Sequence, residues 1–366
     1  MKKKTVVLIP SLNPNAELVD YVKKLVNANN QIEVIVINDG SKKELKGIFD
    51  DIEKIKRCVV LTHAINLGKG RGLKTGFNYF INNYSEKEAN GIITADSDGQ
   101  HAIEDIVRIA NELNETTEET LILGTRDFNK DNVPFKSRNG NKITTAVFKL
   151  LYGKKINDTQ TGLRGLTYDF VKECISLDGE RFEYEINMLI EAVKNKITIT
   201  EPTIETIYFD NNSETHFRPI KDSFKIYSVM FKKFFKFAFS GLSSALLDIA
   251  LFTLIYGLFA KLVGEEISIF IATVGARIFS SLFNYSINKN VVFNANKSKN
   301  TIFKYYFLCV IQTFVSWALV NFGFKFMESV IHPSVIKVVV DALLFLVSFQ
   351  VQQKWVFGIN KVKKND

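Results

Sequence analysis

From Phe237 onward, four apolar segments dominate the sequence, at about 237–259, 267–287, 305–326 and 335–353. Each approaches the ~20 residues that an α-helix needs to cross the hydrocarbon core of a bilayer. Four such runs in succession point to a helical membrane domain. The connections between them set its orientation. Lys289, Lys297, Lys299 and Lys304 lie between the second and third segments, and Lys354, Lys361, Lys363 and Lys364 follow the fourth. The opposite connections are short, with Lys261, Glu265 and Glu266 in one and Glu328 and His332 in the other. Lysine accumulates on the cytoplasmic side of membrane spans. Both termini are therefore expected in the cytoplasm of a multi-pass cell-membrane protein. Residues 215–236 interleave Phe217, Phe224, Phe231, Phe234 and Phe235 with Lys221, Lys225, Lys232, Lys233 and Lys236. This spacing fits an interfacial helix on an anionic leaflet or an ordinary packed amphipathic helix. The formal net charge of +8 is compatible with nucleic acid or with an anionic membrane. Because much of the lysine sits between apolar segments, membrane lipids are the expected partner and nucleic acid is not.

Residues 1–230 read differently. Val6–Ile9, Val34–Ile37, Val59–Leu61 and Ile92–Ala95 are short runs rich in β-branched residues, and helical apolar spacing falls over 17–27 and about 73–82. Strands alternating with helices predict a mostly parallel sheet with right-handed crossovers. Each strand ends in polar or glycine residues, as a ligand site at the carboxyl edge of such a sheet requires. Only five apolar residues follow Met1-Lys-Lys-Lys-Thr before Ser11, too few for a signal-peptide core. Cys58, Cys174 and Cys309 are far apart, so neither a disulfide framework nor a zinc site is expected.

The stretch Ile92-Ile-Thr-Ala-Asp96-Ser-Asp98-Gly-Gln100-His carries the strongest chemical signal. A strand ending here delivers two carboxylates, Asp96 and Asp98, to the sheet edge, followed by the amide of Gln100. Such oxygen ligands suit Mg²⁺ or Mn²⁺ bridging a diphosphate. An Asp-rich turn is the plain alternative. Leu121–Arg126 reads as a further strand ending in Arg126, and Arg138 precedes a helix at about 143–152. Guanidinium groups there fit phosphate clamps or surface salt bridges.

Five motifs occur in order: Ile9-Pro10-Ser-Leu-Asn13, Asn38-Asp39-Gly-Ser, Asn66-Leu-Gly-Lys69-Gly, Ala95-Asp-Ser-Asp-Gly-Gln-His101 and Asp158-Thr-Gln160-Thr-Gly-Leu-Arg164-Gly. This ordered set resembles the family-two glycosyltransferases of the GT-A fold, in the branch of dolichol-phosphate mannose synthase and bacterial polyprenyl-phosphate glucosyltransferases. The resemblance covers roughly residues 5–230, and Pro14 stands where many members carry Glu. It implies an α/β GT-A catalytic domain over 1–214 that takes a nucleotide diphosphate sugar and a polyprenyl (undecaprenyl) phosphate. Pro10, Asn13 and Asp39 would line the base pocket, although Asp39 also reads as a turn residue. Lys69 would join them in nucleotide-sugar binding, with Gly68, Gly70 and Gly72 admitting phosphate close to a helix N-terminus. Asp96, Asp98 and Gln100 would hold the metal. Asp98, Arg126 and Arg138 would act on the diphosphate, with Arg138 also reaching the acceptor. Gln160, Arg164 and Glu183 would lie near the sugar and phosphates, and Glu183 reads equally as a helix-capping acid. Ser213, His216 and Arg218 resemble a segment that folds over the acceptor phosphate, and His216 also reads as a surface histidine. The implied activity is inverting hexose transfer from UDP-glucose or UDP-N-acetylglucosamine, making a lipid-linked sugar for cell-envelope glycosylation.

The second and fourth apolar segments end alike: Asn288-Lys-Asn-Val-Val-Phe293 parallels Gln352-Gln-Lys-Trp-Val-Phe357. Two repeated helix hairpins are expected. After the juxtamembrane stretch 215–236, the layout over 237–357 resembles the GtrA-like four-helix membrane family, with 358–366 as a basic tail. Asp248, Arg277 and Asp341 fall inside predicted spans, where ionisable groups are costly and usually paired. They read as a polar path centred on Arg277 or as an Asp248–Arg277 ion pair. Two other functions compete. A processive polysaccharide synthase would carry a Gln-x-x-Arg-Trp-type motif, which the chain lacks. A lipid-linked-sugar translocase or binding protein with a vestigial transferase domain would not need the intact acids. A homo-oligomer is left open.

Overall fold

A computed structural model describes residues 3–128, 135–205, 218–295, 300–326 and 332–358. The chain divides into two compact units, Met1–Val229 and Met230–Asp366.

The first unit alternates strands and helices. In order they are β1 (Lys4–Ser11), α1 (Glu17–Ala28), β2 (Ile32–Asn38), α2 (Lys46–Glu53), β3 (Cys58–Thr62), α3 (Lys69–Asn83), β4 (Ala89–Thr94), α4 (Ile103–Glu115), β5 (Thr120–Leu123), β6 (Thr125–Arg126), α5 (Phe135–Tyr152), β7 (Arg164–Thr167), α6 (Tyr168–Ile175), α7 (Glu183–Lys194), β8 (Thr198–Thr200) and β9 (Thr203–Ile204). Seven strands form one sheet in the order β3-β2-β1-β4-β7-β5-β8. All neighbours run parallel except β7, which is antiparallel to both β4 and β5. Val6, Val7, Leu8 and Ile9 of β1 are buried on both faces, as expected of a parallel strand covered by helices on each side.

Several expectations change, among them the helix expected from about residue 143, which already begins at Phe135 and so contains Arg138. The strand read over Leu121–Arg126 breaks at Gly124 into β5 and β6, and β6 pairs with β9 in a separate two-stranded sheet. The Gly124 N–H donates to Leu163 O and the Thr125 N–H to Pro202 O, so the two halves satisfy their backbones with different partners. Helix α3 begins at Lys69, a turn earlier than apolar spacing indicated, because Gly68 at φ 104 serves as its N-cap.

The second unit is helical. Helices α8 (Pro219–Val263), α9 (Glu265–Ile287), α10 (Thr301–Phe326) and α11 (Pro333–Val351) supply four candidate membrane spans by length and composition. The interfacial helix expected over 215–236 is not separate where the structure describes it. From Pro219 it is the first part of α8, since no proline follows Pro219 before 333 and the helix therefore continues. At ~1.5 Å per residue, 45 residues extend ~68 Å, more than the ~30 Å hydrocarbon core. The repeat read from the sequence has a structural counterpart. The α9 and α11 helices each run into a five-residue π-helical turn, at Asn288–Val292 and Gln352–Val356. The first residues of the two turns meet, with Asn288 Nδ2 donating to Gln352 Oε1 at 3.1 Å. The expected ion pair also forms, with Arg277 Nη2 3.4 Å from Asp248 Oδ2.

Candidate active site

Strand β4 lies beside β1 at the middle of the sheet, and its chain leaves the carboxyl edge through Ala95 into Asp96. Asp96 Oδ1 is 2.7 Å from Lys69 Nζ, and Asp96 Oδ2 is 3.3 Å from His101 Nε2. The same Lys69 ammonium reaches Glu185 Oε1 at 3.0 Å. Lys69 opens α3 and Glu185 sits in the first turn of α7, so the cluster joins two helices to the β4 edge. Burial opposes charge on both Lys69 and Asp96. Mutual attraction prevails: Lys69 and His101 hold the Asp96 carboxyl well below the usual range, while Asp96 and Glu185 raise the Lys69 ammonium above its own.

Asp98 behaves oppositely. Crowding by the surrounding protein, and then the neighbouring Asp96 charge, push its carboxyl up. Its Oδ1 accepts the Gln100 N–H at 3.1 Å, and no cation lies within ion-pair distance among the described residues. Asp98 and Gln100 therefore fit a hard divalent ion, which would relieve the crowded carboxylate. Asp96 fits only through lone pairs not already engaged by Lys69 and His101. No group of three or more His, Cys, Asp or Glu side chains arranged for a metal occurs among the described residues. An ion here would complete its shell from amide oxygen, water and ligand phosphate.

The loop 158–163 closes over this edge. Thr94 Oγ1 donates to Gly162 O at 2.8 Å. A Cβ on Gly162 would fall 2.1 Å from Asp96 Oδ2, so only glycine allows the loop to lie against the acid. Arg126 forms a fork with Asp158, Nε to Oδ2 at 2.7 Å and Nη2 to Oδ1 at 3.0 Å, and Asp158 is fully buried. Gln160 is exposed, with its backbone N–H tied to Asp158 Oδ1 at 3.1 Å. Arg138 is half-buried in the first turn of α5.

Several residues read as ligand contacts have partners within the protein. Asp39 is buried. Its Oδ1 accepts from Leu67 N at 2.9 Å and lies 2.8 Å from His63 Nδ1, while its Oδ2 accepts from Gly68 N at 2.8 Å. The positive end of α3 is thus held by the protein's own carboxylate. Gly70 serves a different close approach, because a Cβ there would lie 2.6 Å from Tyr184 Cβ. Pro10 is buried beneath Gly72. Asn13, at φ 47, ties two loops together: its N–H donates to Ser41 Oγ at 2.8 Å and its Oδ1 accepts from Lys42 N at 2.9 Å.

Arg164 is fully buried, donating to Thr161 O at 2.9 Å and Glu185 O at 2.7 Å. It braces the loop against α7. Glu183 Oε1 accepts the N–H groups of Glu180 and Arg181 at 3.2 and 3.3 Å, which fastens the turn that leads into α7. Arg218 is exposed and pairs with Asp222 one turn on, at 3.8 Å. Ser213 and His216 lie outside the described residues.

Sequence reasoning passed over Glu185 and His101, which complete the cluster. His101 stood inside a motif already noted, one residue after Gln100, and Glu185 lies two residues after Glu183.

A mostly parallel α/β sheet with acids at its carboxyl edge, followed by four candidate membrane spans, sets an α/β unit of the ligand-binding type ahead of a helical membrane domain. Residues 6–174 match the family Glycosyl transferase family 2, and residues 236–357 match the GtrA/DPMS transmembrane domain, so the chain joins one to the other. It is 29% identical to the UDP-N-acetylglucosamine–dolichyl-phosphate N-acetylglucosaminyltransferase of Methanococcus voltae over 219 residues, covering 55% of this chain and 85% of that protein. It is 22% identical to the polyprenol monophosphomannose synthase of Mycolicibacterium smegmatis over 209 residues, 55% of this chain and 77% of that protein. Among solved structures, glucosyl-3-phosphoglycerate synthase from Mycobacterium tuberculosis superposes with a TM-score of 0.47 at 13% identity, covering 63% of this chain and 79% of that chain.

Proposed function

We propose that this protein transfers a hexose from a nucleoside diphosphate sugar to a polyprenyl phosphate, with inversion. The observation that carries the reading is the contrast within the acid pair at the β4 edge: Asp96 is neutralised by Lys69, while Asp98 has no cation at ion-pair distance among the described residues. The pair thus keeps one anionic oxygen set ready for a metal-bound diphosphate. The donors we favour are UDP-glucose and UDP-N-acetylglucosamine. Support for the second comes from the Methanococcus voltae relative, whose name gives that donor and a dolichyl phosphate acceptor.

Asp98 and Gln100 would hold Mg²⁺ or Mn²⁺, with Asp96 beside them; the ion would neutralise the departing diphosphate. Lys69, held by Asp96 and Glu185, places a fixed positive charge next to that site. Arg138 would offer its guanidinium to donor and acceptor phosphates, and Arg126 would do so beside its fork to Asp158. A phosphate monoester is already an anionic nucleophile, so no strong protein base is needed. Positioning and charge neutralisation carry the rate. Attack opposite the leaving group inverts the anomeric carbon. The lysine distribution favours a cytoplasmic catalytic unit in the cell membrane, on the side where nucleotide sugars occur.

The test is transfer of label from a panel of nucleotide sugars into undecaprenyl phosphate by the full chain, with and without chelator. A chloroform-soluble product that forms only with divalent metal is expected. Unchanged transfer in excess chelator would overturn the metal assignment, and no lipid product from any donor would overturn the transferase reading.

A further inference from the structure

Between Phe135 and Asn157 the sequence carries six basic residues and no acid. Most of this stretch is α5, in the first unit. One side of α5 is core: Asn141, Thr144, Phe148 and Leu151 are buried. At ~100° per residue, Ile143, Ala146 and Leu150 fall within ~60° of one another on the other side. All three are exposed, Ile143 at 57% and Leu150 at 49%. Lys142 and Lys149 run along one edge of this stripe, and Lys154 and Lys155 follow the helix; all four are exposed. No acid lies at ion-pair distance from these four lysines among the described residues. An apolar stripe edged by lysine is the pattern of a helix that lies in a membrane interface.

The contacts of α5 put it beside the helix that leads into the first span. Thr144 Oγ1, on the core side, is 3.2 Å from Tyr227 Oη of α8. Tyr227 precedes Phe237, where the apolar segment of α8 begins, by ~15 Å of helix. That is close to the width of one helix plus a headgroup layer, about 10–12 Å and about 5–7 Å. A helix lying beside Tyr227 can therefore rest on the leaflet that α8 enters.

Three kinds of occupant are available to such a face. A second copy of the chain would set these lysines against one another. Nucleic acid would match the charge but leave Ile143 and Leu150 in water. An anionic leaflet matches both, with ammonium groups on the headgroups and the stripe at the acyl boundary. We propose that α5 docks the first unit onto an anionic leaflet through Ile143, Ala146 and Leu150, with Lys142 and Lys149 on the lipid headgroups. Arg138 lies ~6 Å along α5 from Lys142, so docking holds its guanidinium near headgroup phosphates. Its use there on an acceptor phosphate rests on the proposed transferase reading; the docking itself does not.

Trp317 and Trp355 are the chain's two tryptophans. A full-length Trp317→Phe, Trp355→Phe protein carrying Ile143→Trp therefore reports on α5 alone. It is reconstituted in vesicles of phosphatidylcholine and phosphatidylglycerol, with and without bromine on the acyl chains. Emission from position 143 should be blue-shifted and quenched by the brominated lipid, whereas a probe placed by Glu53→Trp, at the exposed end of α2, should show neither effect. Adding Lys142→Glu and Lys149→Glu, or omitting phosphatidylglycerol, should reduce the quenching about two-fold or more. Leu150→Trp is the second probe if tryptophan at 143 prevents folding. Quenching no stronger than at position 53, or unaltered by both the charge reversal and the loss of anionic lipid, would overturn the inference. So would a blue shift that bromine does not quench and that grows with protein density, which marks a second copy on this face. Quenching needs no turnover, so a docked protein that transfers no sugar would refute the transferase reading and leave the docking in place.

Discussion

Replacing Lys69 with methionine removes the cation shared by two carboxylates and keeps most of the side-chain volume. The three side chains are 18% (Lys69), 30% (Asp96) and 8% (Glu185) exposed, so solvent screens them poorly. Breaking a buried pair by deleting one partner costs about 3–5 kcal/mol. Asp96 keeps His101 at 3.3 Å and Glu185 keeps Arg164 at 3.9 Å, which places the expected loss near the lower end, about 3 kcal/mol. For a unit the size of Met1–Val229, that corresponds to a melting shift of about 6–12 °C.

The pH dependence gives a sharper check. In the wild type, the depressed Asp96 pKa contributes stability that is present above its unfolded value and lost only as pH falls through the folded one. The raised Lys69 pKa contributes stability present below its unfolded value and lost at strongly basic pH. Between about pH 5 and 9 this cluster's contribution is therefore flat. In the variant, two like charges share a buried site and one carboxyl titrates upward. The folded variant then binds more protons than its unfolded chain, so its stability rises as pH falls. The deficit should shrink between pH 7 and 5, by up to about 1.4 kcal/mol per unit of pKa rise. Urea and thermal unfolding of the full chain in detergent, followed by near-ultraviolet circular dichroism, measure both effects. A deficit below about 1 kcal/mol, or one that grows on acidification, would refute the reasoning.

Asp98→Ala should lower kcat/KM by about two orders of magnitude, roughly 3 kcal/mol, while leaving the melting temperature nearly unchanged, because no ion pair is lost; a large melting shift with normal kinetics would make Asp98 a structural turn residue. Gly162→Ala must displace either the 158–163 loop or Asp96, since its Cβ would sit 2.1 Å from Asp96 Oδ2; transfer activity should fall far more than for alanine at Gly140, where the added Cβ meets nothing. Asp248→Asn and Arg277→Gln should each destabilise the membrane unit, and the double variant should be milder than their sum, because an unpaired charge in a span is penalised by at least about 2.5 kcal/mol; strict additivity in detergent unfolding would deny the pairing.

Much of the architecture is written in local pattern. Runs of β-branched residues closed by glycine and polar loops announce a parallel sheet, and apolar runs near twenty residues announce spans, because backbone hydrogen bonding and burial act over short stretches of chain. The Asp96–Asp98 pair at the end of β4 was legible for the same reason. So was the repeated end of α9 and α11, although its five-residue π turns and the Asn288–Gln352 contact appear only in three dimensions.

What the one-dimensional pattern leaves undecided is which polar group meets which partner. Glu183 and Glu185 are equivalent as letters, but at ~100° per residue they point ~200° apart on α7. One fastens the turn before the helix and the other grips Lys69. Arg126 and Arg138 read as phosphate clamps or salt bridges and Arg164 as a neighbour of the sugar and phosphates; in the fold Arg164 is buried among carbonyl oxygens and Arg126 is forked to a buried Asp158. Asp39 occupies the positive end of α3 because the fold brings the loop after β2 to that helix. The antiparallel β7 enters a parallel sheet by pairing with strands more than 40 residues away in sequence. Elements follow from the sequence by itself, through propensity, periodicity and length. The identity of each charge's partner belongs to the tertiary structure, because burial and distance, which set the strength of an ionic contact, exist only once distant segments have been packed together.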